Sequence, residues 1–314
     1  MRVLVTGGAG FIGGNLCREL VAHPIVDEVV AFDDLTTGTD GNLDGVGARL
    51  VAASILDRSI LDDAVEEADV VIHLAARPSV PRSVADPLRS HLVNATGTMH
   101  VLEACRRNGT PIITASSSSV YGPTQVLPKH EDLPTRPQSP YAASKLAAES
   151  AVLAYGATYD LPVLALRFFN VYGPLQSVGH AYAAVIPTIA DAALRGRPVH
   201  LHGDGTQTRD FTYVGSVARL LTDAAVRGVT SPTPVNLAFG TRTSLLDLVD
   251  KIRGLVGRPV EVIFDPPRPG DVRDSQADST RLQELFPGHG PVPLEDGLRE
   301  TVSWYAQQIV SARR

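Results

Sequence analysis

The chain has 314 residues, of which 44% are hydrophobic and 20% are charged, and its formal net charge is −6. This length suits one large α/β body or about two domains, and the composition is that of an ordinary soluble globular protein. The scattered basic residues argue against nucleic acid as a principal partner, and no apolar run reaches the roughly 20 residues that a membrane span needs.

The start of the chain and its cysteines indicate where in the cell the protein is located. Residues 1–5 run directly into a buried strand rather than a signal sequence, so we expect a cytoplasmic location. Cys17 and Cys105 both fall in helical patterns, where a disulfide framework is not expected. We interpret both as small core residues.

A strand, a glycine-rich turn and a helix open the chain. Residues 2–6 form a β-branched run, the turn of residues 7–14 follows, and apolar spacing from Phe11 to Leu20 predicts a helix. Glycines let a backbone approach a ligand closely, and a helix N-terminus presents free N–H groups. The unit therefore predicts a pyrophosphate cradle, although a plain tight turn has the same composition.

Acidic residues end the second predicted strand. Residues 28–32 lead into Asp33 and Asp34, about 20 residues past the last glycine of the turn. A carboxylate at that point accepts the ribose hydroxyls of an adenosine and repels a 2′-phosphate. The pattern therefore favours NAD over NADP, with a solvated acidic pair as the alternative.

Strands and helices then alternate. Strand patterns at 50–53, 70–76 and 111–115 are separated by helical patterns at 60–67 and about 86–107. Continuous apolar strands between helices indicate a parallel sheet that is covered on both faces. The sequence thus predicts a doubly wound α/β fold.

Candidate site residues follow the carboxyl ends of these strands, where doubly wound sheets bind their ligands. Ala75 and Ala76 end one strand, and His73 just before them is interpreted as a packed strand residue. The four serines of residues 116–119 end the next strand. A hydroxyl there can face a ligand or can simply form a loop.

Residues 139–149 predict the start of a helix, with Ser139 as N-cap and Pro140 at the first helical position. Tyr141 and Lys145 share one helix face, which suits an ammonium that stabilises a tyrosinate. To ionise near neutral pH, a phenol needs its pKa lowered by roughly three units, or about 4 kcal/mol. An isolated pair of this kind is usually a half-buried tyrosine beside a solvated lysine, so the other motifs must decide.

Motifs begin at Val5 (Val-Thr-Gly-Gly-Ala-Gly-Phe-Ile-Gly), His73 (His-Leu-Ala-Ala), Ser116 (Ser-Ser-Ser-Ser-Val-Tyr-Gly), Tyr141 (Tyr-Ala-Ala-Ser-Lys), Arg167 (Arg-Phe-Phe-Asn-Val-Tyr-Gly-Pro) and Arg209 (Arg-Asp-Phe). In this order they resemble the extended short-chain dehydrogenases/reductases, and within them the UDP-glucose/UDP-N-acetylglucosamine 4-epimerase group. The resemblance covers nearly the whole chain. It implies a Rossmann NAD-binding domain of residues 1–169 plus about 213–242, and a smaller α/β nucleotide-sugar-binding domain of about 170–212 plus 243–314.

The resemblance also implies roles. Tyr141 would be the catalytic base, Lys145 would hold the nicotinamide ribose and lower the tyrosine pKa, and Ser117 would hydrogen-bond the reacting hydroxyl. NAD would contact Gly7, Gly10, Phe11, Ile12, Gly13, Asp33, Asp34, Ser54, Ile55, Leu74, Ala75, Ala76, Tyr141, Lys145 and Phe169. Ser54 departs from the family, whose members often carry Asp near the adenine.

The nucleotide-sugar substrate would contact Ser117, Ser118, Asn170, Ala184, Val185, His200, His202, Arg209, Arg268, Asp271 and Ser275. Guanidinium groups such as those of Arg209 and Arg268 suit a diphosphate, because they can bind it bidentately. His200 and His202 share one face of a strand, but a zinc site lacks a clustered third ligand, so we expect no metal. The resemblance instead puts His202 near the nucleobase.

The implied reaction is 4-epimerisation of UDP-hexoses by tightly held NAD, through a transient 4-keto-sugar. Ser275 stands where a bulky Tyr restricts some relatives to plain hexoses. Residues 181–187 also resemble epimerases of acetamido sugars. We therefore expect activity on UDP-Glc/UDP-Gal and on UDP-GlcNAc/UDP-GalNAc, and the resemblance further implies a homodimer through the helix ending near Arg107 and the helix bearing Tyr141.

Several alternatives stay open. The related 4,6-dehydratases carry an Asp-Glu pair where this chain has Ser118 and Ser119, and uronate decarboxylases carry Glu at the Ser119 position. Uronate 4-epimerases tend to carry Thr in place of Asn170. A catalytically silent NAD-binding regulator usually loses Tyr or Lys, and a net keto-sugar reductase usually uses NADPH, which Asp33 disfavours.

Overall fold

The computed structural model describes residues 1–178, 184–266 and 273–311. Its strands are β1 (Arg2–Thr6), β2 (Glu28–Asp33), β3 (Arg49–Ala52), β4 (Val70–His73), β5 (Ile112–Ser117), β6 (Val163–Phe168), β7 (Val171–Tyr172), β8 (Val199–His202), β9 (Thr208–Arg209), β10 (Thr212–Tyr213), β11 (Val235–Leu237), β12 (Thr243–Ser244) and β13 (Val262–Asp265). Its α-helices are α1 (Phe11–Val21), α2 (Arg58–Glu66), α3 (Val80–Ala85), α4 (Pro87–His91), α5 (Gly97–Asn108), α6 (Pro140–Tyr159), α7 (Val185–Arg195), α8 (Val214–Arg227), α9 (Leu245–Val256), α10 (Thr280–Leu285) and α11 (Leu294–Ser311).

A central parallel sheet confirms the predicted doubly wound α/β fold. Seven of the described strands form it, in the order β11-β6-β5-β4-β1-β2-β3. The chain starts at β1 near the middle, winds outward to β3, and returns to wind the other way from β4. This reversal between β1 and β4 leaves a crevice at the carboxyl ends of the strands, where such folds bind ligands.

Helices cover both faces of the sheet, because successive side chains of a buried strand point to opposite faces. Val3 and Val5 pack on one face with the apolar stripes of α1 and α8. Leu4 points to the other face, where α2, α5 and α6 bury it. The buried and unpaired thiols of Cys17 and Cys105 lie one in each of these two cores.

A third core lies beside the sheet. Helices α7, α9 and α11 pack there around β8, with Ile189, Leu248 and Val302 among the buried side chains. Helix α10 falls within the sequence range predicted for the second domain, yet its Leu282 and the following Phe286 pack into the core of the central sheet. The division into two domains stays a prediction from the sequence.

Two predicted elements differ from the structure. The strand predicted over residues 70–76 ends at His73, and residues 74–76 continue as a loop beside the crevice. The helix predicted from about residue 86 to 107 is divided into α4, a π-helical turn over Leu92–Thr96, and α5. At the start of α5, a Cβ on Gly97 would lie 2.5 Å from Ile55 Cδ1, so the helix approaches Ile55 closely.

None of the helices in the described ranges is long and apolar enough to cross a bilayer. The cytoplasmic location stays a prediction from the sequence.

Candidate active site

A cavity of about 780 Å³ opens at the carboxyl ends of β1, β2, β4, β5 and β6. The predicted site residues that line it are Gly7, Gly10, Phe11, Ile12, Gly13, Asp33, Asp34, Ile55, Leu74, Ala75, Ala76, Ser117, Tyr141, Lys145, Phe169 and Asn170. Those that do not line it are Ser54, Ser118, Ala184, Val185, His200, His202, Arg209 and Ser275. Arg268 and Asp271 lie outside the described residues.

The glycine turn after β1 is pressed against its neighbours. Gly7 has a φ of +73°, and a Cβ at this residue would lie 2.7 Å from the Ala75 nitrogen. A Cβ on Gly13 would lie 2.0 Å from the Gly7 carbonyl oxygen. Helix α1 begins with Gly10 as N-cap and with no side chain bound to its first amides. Its N-terminus borders the cavity, and the cradle therefore fits a pyrophosphate.

Asp33 is buried at the end of β2, next to this turn. Its carboxylate accepts hydrogen bonds from Ala9 N at 3.0 Å and from Leu35 N at 2.8 Å. Burial raises its pKa above the ordinary value, and the two amides counteract part of that rise. Asp34 is exposed, and its carboxylate accepts from Thr36 N at 3.0 Å. Both carboxylates border the cavity, which suits the ribose of an adenosine.

Ser54 and Ile55 differ in their surroundings. Ile55 is buried and lines the cavity. The Ser54 hydroxyl accepts a hydrogen bond from Leu56 N at 3.3 Å, within its own turn. The cofactor contact implied for Ser54 stays a prediction.

Helix α6 begins as the sequence predicts. The Ser139 hydroxyl accepts a hydrogen bond from Ala142 N at 3.1 Å, and Pro140 occupies the first helical position. Tyr141 N donates to the Ser83 hydroxyl at 3.0 Å, which ties the helix start to α3. Tyr141 and Lys145 both line the cavity one turn apart, as their spacing requires.

Ser117 is oriented toward Tyr141 by its neighbour. Ser117 Oγ accepts from Ser119 N at 3.2 Å and from Ser119 Oγ at 2.8 Å, and its interaction with the Tyr141 phenol opposes the rise of the Tyr141 pKa that burial causes. A hydroxyl has two acceptor sites and one proton. Because Ser119 fills the acceptor sites, the Ser117 proton is available to donate to the Tyr141 oxygen.

The predicted lowering of the Tyr141 pKa by Lys145 is not what the structure gives. Burial raises the pKa of Tyr141 above its usual value, and the group that opposes this rise is Ser117. Lys145 Nζ donates instead to the Ala115 carbonyl at 2.8 Å. Burial also lowers the pKa of Lys145 to about 8. Burial and the positive charge of Lys145 together lower the pKa of the buried His73 to about 3.

Sequence reasoning missed Asn94, which lies in the π-helical turn. Asn94 Nδ2 donates to Ser144 Oγ at 3.0 Å, and Ser144 Oγ in turn donates to the Tyr141 carbonyl. Asn94 Oδ1 accepts from Arg77 N at 2.6 Å. This buried amide thus connects helix α6 to the loop after β4. No motif in the sequence marks it, because the contact depends on the irregular turn.

Further charged or polar residues that line the cavity were also missed. They are Thr36, Thr37, Arg77, Arg82, Asp86, Arg89 and Gln176. Arg77 pairs with Asp86 at 2.6 Å, so these two charges largely compensate each other. In the sequence, Arg77 and Asp86 belong to a polar stretch that is typical of a solvated surface.

The side of the crevice toward β9 brings together several predicted substrate residues. Asn170 Nδ2 donates to the Asp210 carbonyl at 3.0 Å. Arg209 Nη1 donates to the carbonyls of Thr208 at 2.9 Å and Arg273 at 3.0 Å. Ser275 N donates to the Thr208 carbonyl at 3.1 Å, so Ser275 lies on the segment beside Arg209.

The histidines of β8 lie on its partly exposed face, as their alternation predicts. His200 Nδ1 lies 3.1 Å from Asp265 Oδ2, and His202 Nδ1 lies 3.1 Å from the Pro266 carbonyl. Across the described residues, no group of three or more His, Cys, Asp or Glu side chains is placed to hold a metal ion.

A comparison with protein families identifies the chain's relatives. The model of the family described as "NAD dependent epimerase/dehydratase" matches residues 3–238. The chain belongs to this family. Its glycine cradle, its acidic residues after β2 and its Ser-Tyr-Lys group all lie in the matched part.

Relatives of this epimerase/dehydratase-family chain are similar over nearly its whole length. The UDP-glucose 4-epimerase of Mycolicibacterium smegmatis is 39% identical over 97% of this chain and 98% of its own. The structure of UDP-N-acetylglucosamine 4-epimerase from Methanobrevibacter ruminantium, in complex with UDP-N-acetylmuramic acid, is 34% identical, covers 98% of both chains and has a TM-score of 0.92. That of UDP-glucose 4-epimerase from Thermus thermophilus, in complex with NAD, is 36% identical, covers 97% of this chain and 99% of its own, and has a TM-score of 0.87.

The lowered pKa of Lys145 predicts a stability effect. An unfolded lysine titrates near 10.4, so the charged Lys145 costs folding free energy below pH 8, and this cost disappears as the pH rises past about 10.4. Replacing Lys145→Met removes the cost but also a hydrogen bond. We expect the free energy of unfolding at pH 7 to rise by about 2 kcal/mol, and this gain to shrink between pH 8 and 10.

Urea denaturation of both proteins at several pH values measures this difference. Lys251→Met is the matched control, since Lys251 is a partly exposed lysine paired with Glu295, and we expect its effect to stay within about 0.5 kcal/mol. A Lys145→Met protein that is less stable than the native chain at pH 7 would show that the charged lysine stabilises the fold.

Proposed function

We propose that this chain is an NAD-dependent 4-epimerase of UDP-hexoses, which acts through a transient 4-keto-sugar. The observation that carries the proposal is the grouping of Ser117, Tyr141 and Lys145 on the wall of a cavity that also contains the glycine cradle. The epimerase activities in the names of the Mycolicibacterium, Methanobrevibacter and Thermus relatives support it.

NAD fits the cavity. The glycine turn and the uncapped N-terminus of α1 would hold its pyrophosphate, because added Cβ atoms would fill the cradle. Asp33 and Asp34 would accept the adenosine ribose and disfavour the 2′-phosphate of NADP. Lys145 would hold the second ribose. When bound, NAD would supply the redox chemistry of the reaction, which is reversible hydride transfer at the sugar C4.

The chain's own residues exchange the proton. Ser119 would orient Ser117, and the Ser117 hydroxyl would stabilise the Tyr141 phenolate, since Ser117 opposes the rise of the Tyr141 pKa that burial causes. Tyr141 then removes the proton of the sugar 4-hydroxyl as general base and returns it as general acid.

Ser118 and Ser119 separate this proposal from dehydration. Elimination of water needs a second acid or base near the sugar, and these positions hold hydroxyls instead. Within the described ranges, the carboxylates that line the cavity are those of Asp33, Asp34 and Asp86. The first two follow β2, and the third is paired with Arg77. The arrangement therefore favours epimerisation.

Replacing Tyr141→Phe tests the proposed reaction. The change removes the oxygen that exchanges the proton but keeps the aromatic ring. We expect turnover of UDP-glucose to UDP-galactose to fall by about 10²- to 10⁴-fold, because general acid–base catalysis contributes that much. NMR of the equilibrating sugars measures the rate. The amount of dinucleotide retained by the purified protein should stay unchanged, and a variant with native turnover would contradict the role of Tyr141.

Both plain and acetamido hexoses are included in the proposal. Ser275 is 6% exposed and lies on the segment that pairs with β9, two residues from the Arg273 carbonyl that Arg209 contacts. A small side chain at this position leaves room for a 2-acetamido group. Ala184 and Val185, at the start of α7, belong to the segment that resembles acetamido-sugar epimerases.

Replacing Ser275→Tyr should therefore separate the two substrate classes. We expect kcat/KM for UDP-N-acetylglucosamine to fall by about 10- to 100-fold, while that for UDP-glucose changes little, because a pocket discriminates by such amounts on steric grounds. Ser275→Ala removes the hydroxyl without adding volume and should keep both activities. If the tyrosine variant still converts UDP-N-acetylglucosamine at the native rate, Ser275 does not set the size limit.

We also propose a homodimer through α5 and α6. Exposed apolar side chains lie on α4, the π-helical turn and α5, which all pack on α6. They include Leu88, which is 83% exposed, Leu92 and Met99.

Sedimentation velocity should give a dimer for the native chain and a monomer for Leu88→Lys. Val126→Lys, at an exposed apolar residue in a loop, is the control and should stay dimeric. A monomeric native chain would contradict the proposal.

A further inference from the structure

The chain contains only three lysines, and two of them are buried. Lys145 belongs to the site described above, and Lys251 lies at the surface in an ion pair with Glu295. The third, Lys129, is 3% exposed and has no role in the cofactor site or the proton exchange. A buried ammonium needs an explanation, because burial of an unpaired charge is unfavourable.

The backbone places Lys129 beside the proposed substrate residues. Lys129 N donates to the Gln276 carbonyl at 2.8 Å, and Asp278 N donates to the Lys129 carbonyl at 2.8 Å. These bonds align Lys129 with Ala277, two residues after Ser275. The same segment pairs with β9, which carries Arg209. The backbone of Lys129 is therefore held next to the segment that carries Ser275.

The surroundings of the Lys129 ammonium are apolar or positively charged. Nζ lies 6.0 Å from the centre of the Tyr121 ring. Burial lowers the pKa of Lys129, and the positive charge of Arg209 lowers it further. In the described part of the chain, no hydrogen bond and no ion pair within 4.0 Å joins Nζ to another residue.

The buried carboxylates on neighbouring segments are engaged elsewhere. Asp210 Oδ1 accepts from Thr241 Oγ1 at 2.8 Å, and its Oδ2 accepts from Ala277 N at 3.0 Å. Glu131 Oε1 accepts from Asn236 N at 2.8 Å. Among the described residues, the neighbours of the Lys129 ammonium are thus an aromatic ring and the cation Arg209. An anion bound beside Lys129 would compensate its charge.

The aromatic contact connects this place to the cavity. The Tyr121 ring lies 6.3 Å from the ring of Phe169, and Phe169 and the adjacent Asn170 both line the cavity. We propose that Lys129 is a substrate-binding residue, which together with Arg209 binds the diphosphate of the nucleotide sugar. The inference rests on the proposed function for the identity of the anion. The shared chemistry is an anionic oxygen, which a sugar carboxylate also offers.

Lys129→Met tests the proposal, because it keeps the length of the side chain and removes the charge. We expect the affinity for UDP, measured by calorimetry, to fall at least tenfold, and the affinity for uridine to stay unchanged. kcat/KM for UDP-glucose should fall by a similar factor, mainly through KM. The unliganded variant should be at least as stable as the native chain. Lys251→Met is the control and should change none of these quantities.

NMR of protein labelled at the lysine ε-carbons gives an independent measurement. Three lysines give three resonances, and the one that Lys129→Met removes belongs to Lys129. UDP should raise the pKa of this lysine, and uridine should not. The proposal is overturned if UDP leaves the pKa of Lys129 unchanged and Lys129→Met binds UDP with native affinity.

The remaining outcomes separate the possible sources of the anion. If Lys129→Met keeps the affinity for UDP and loses that for UDP-glucuronate relative to UDP-glucose, the residue binds a sugar carboxylate, and the diphosphate assignment is wrong. If the native chain converts no UDP-sugar but UDP still raises the Lys129 pKa, the proposed reaction fails, while the nucleoside diphosphate site is supported.

Discussion

The buried ion pair between Arg167 and Glu149 fixes the elements that carry the active-site residues. Arg167 donates to the two carboxylate oxygens at 2.7 and 2.9 Å, and Ser116 Oγ donates to the same carboxylate at 2.6 Å. The three side chains come from β6, α6 and β5. Removal of one partner of such a pair typically lowers the free energy of unfolding by about 3–5 kcal/mol. The pair therefore holds β5, β6 and α6 in fixed positions relative to one another. Ser117 follows Ser116 directly, and the group that faces Tyr141 is thereby held in place.

The two buried lysines contrast with this arginine. Arg167 has a carboxylate partner, whereas in the described residues Lys145 Nζ contacts a carbonyl and Lys129 Nζ contacts an aromatic ring. In the part of the chain that the structure describes, the fold therefore carries two poorly compensated charges, that of Lys145 on the cavity wall and that of Lys129 at the Tyr121 ring. Proteins tolerate such local penalties mainly at functional sites, where a ligand compensates them. We therefore interpret Arg167 as a residue that stabilises the fold, and Lys129 and Lys145 as residues whose charge a bound ligand would compensate.

The sequence predicted features that depend on neighbouring residues in the chain. The Ser139 cap, the Tyr141–Lys145 face and the glycine turn all follow from short-range rules, and the alternation of apolar runs predicted the central sheet. It could not predict Asn94 or the packing of α10, because both depend on contacts between distant segments. The pKa of Tyr141 was misjudged for a related reason. Helical spacing brings the Lys145 side chain near, but the Ala115 carbonyl decides where its ammonium points.

The proposed reaction requires that the sugar turn over while the rest of the substrate stays bound. The proposed binding of the diphosphate by Arg209 and Lys129 would meet this requirement, since Asp33 and Asp34 after β2 would hold the cofactor instead. The Tyr141 phenol interacts with the hydroxyl of Ser117, which Ser119 Oγ contacts in turn, and a hydroxyl can serve either face of a sugar. A carboxylate at residue 118 or 119 would bind one orientation more tightly. Binding free energy placed on the diphosphate, away from the reacting carbon, therefore leaves the hexose free to invert.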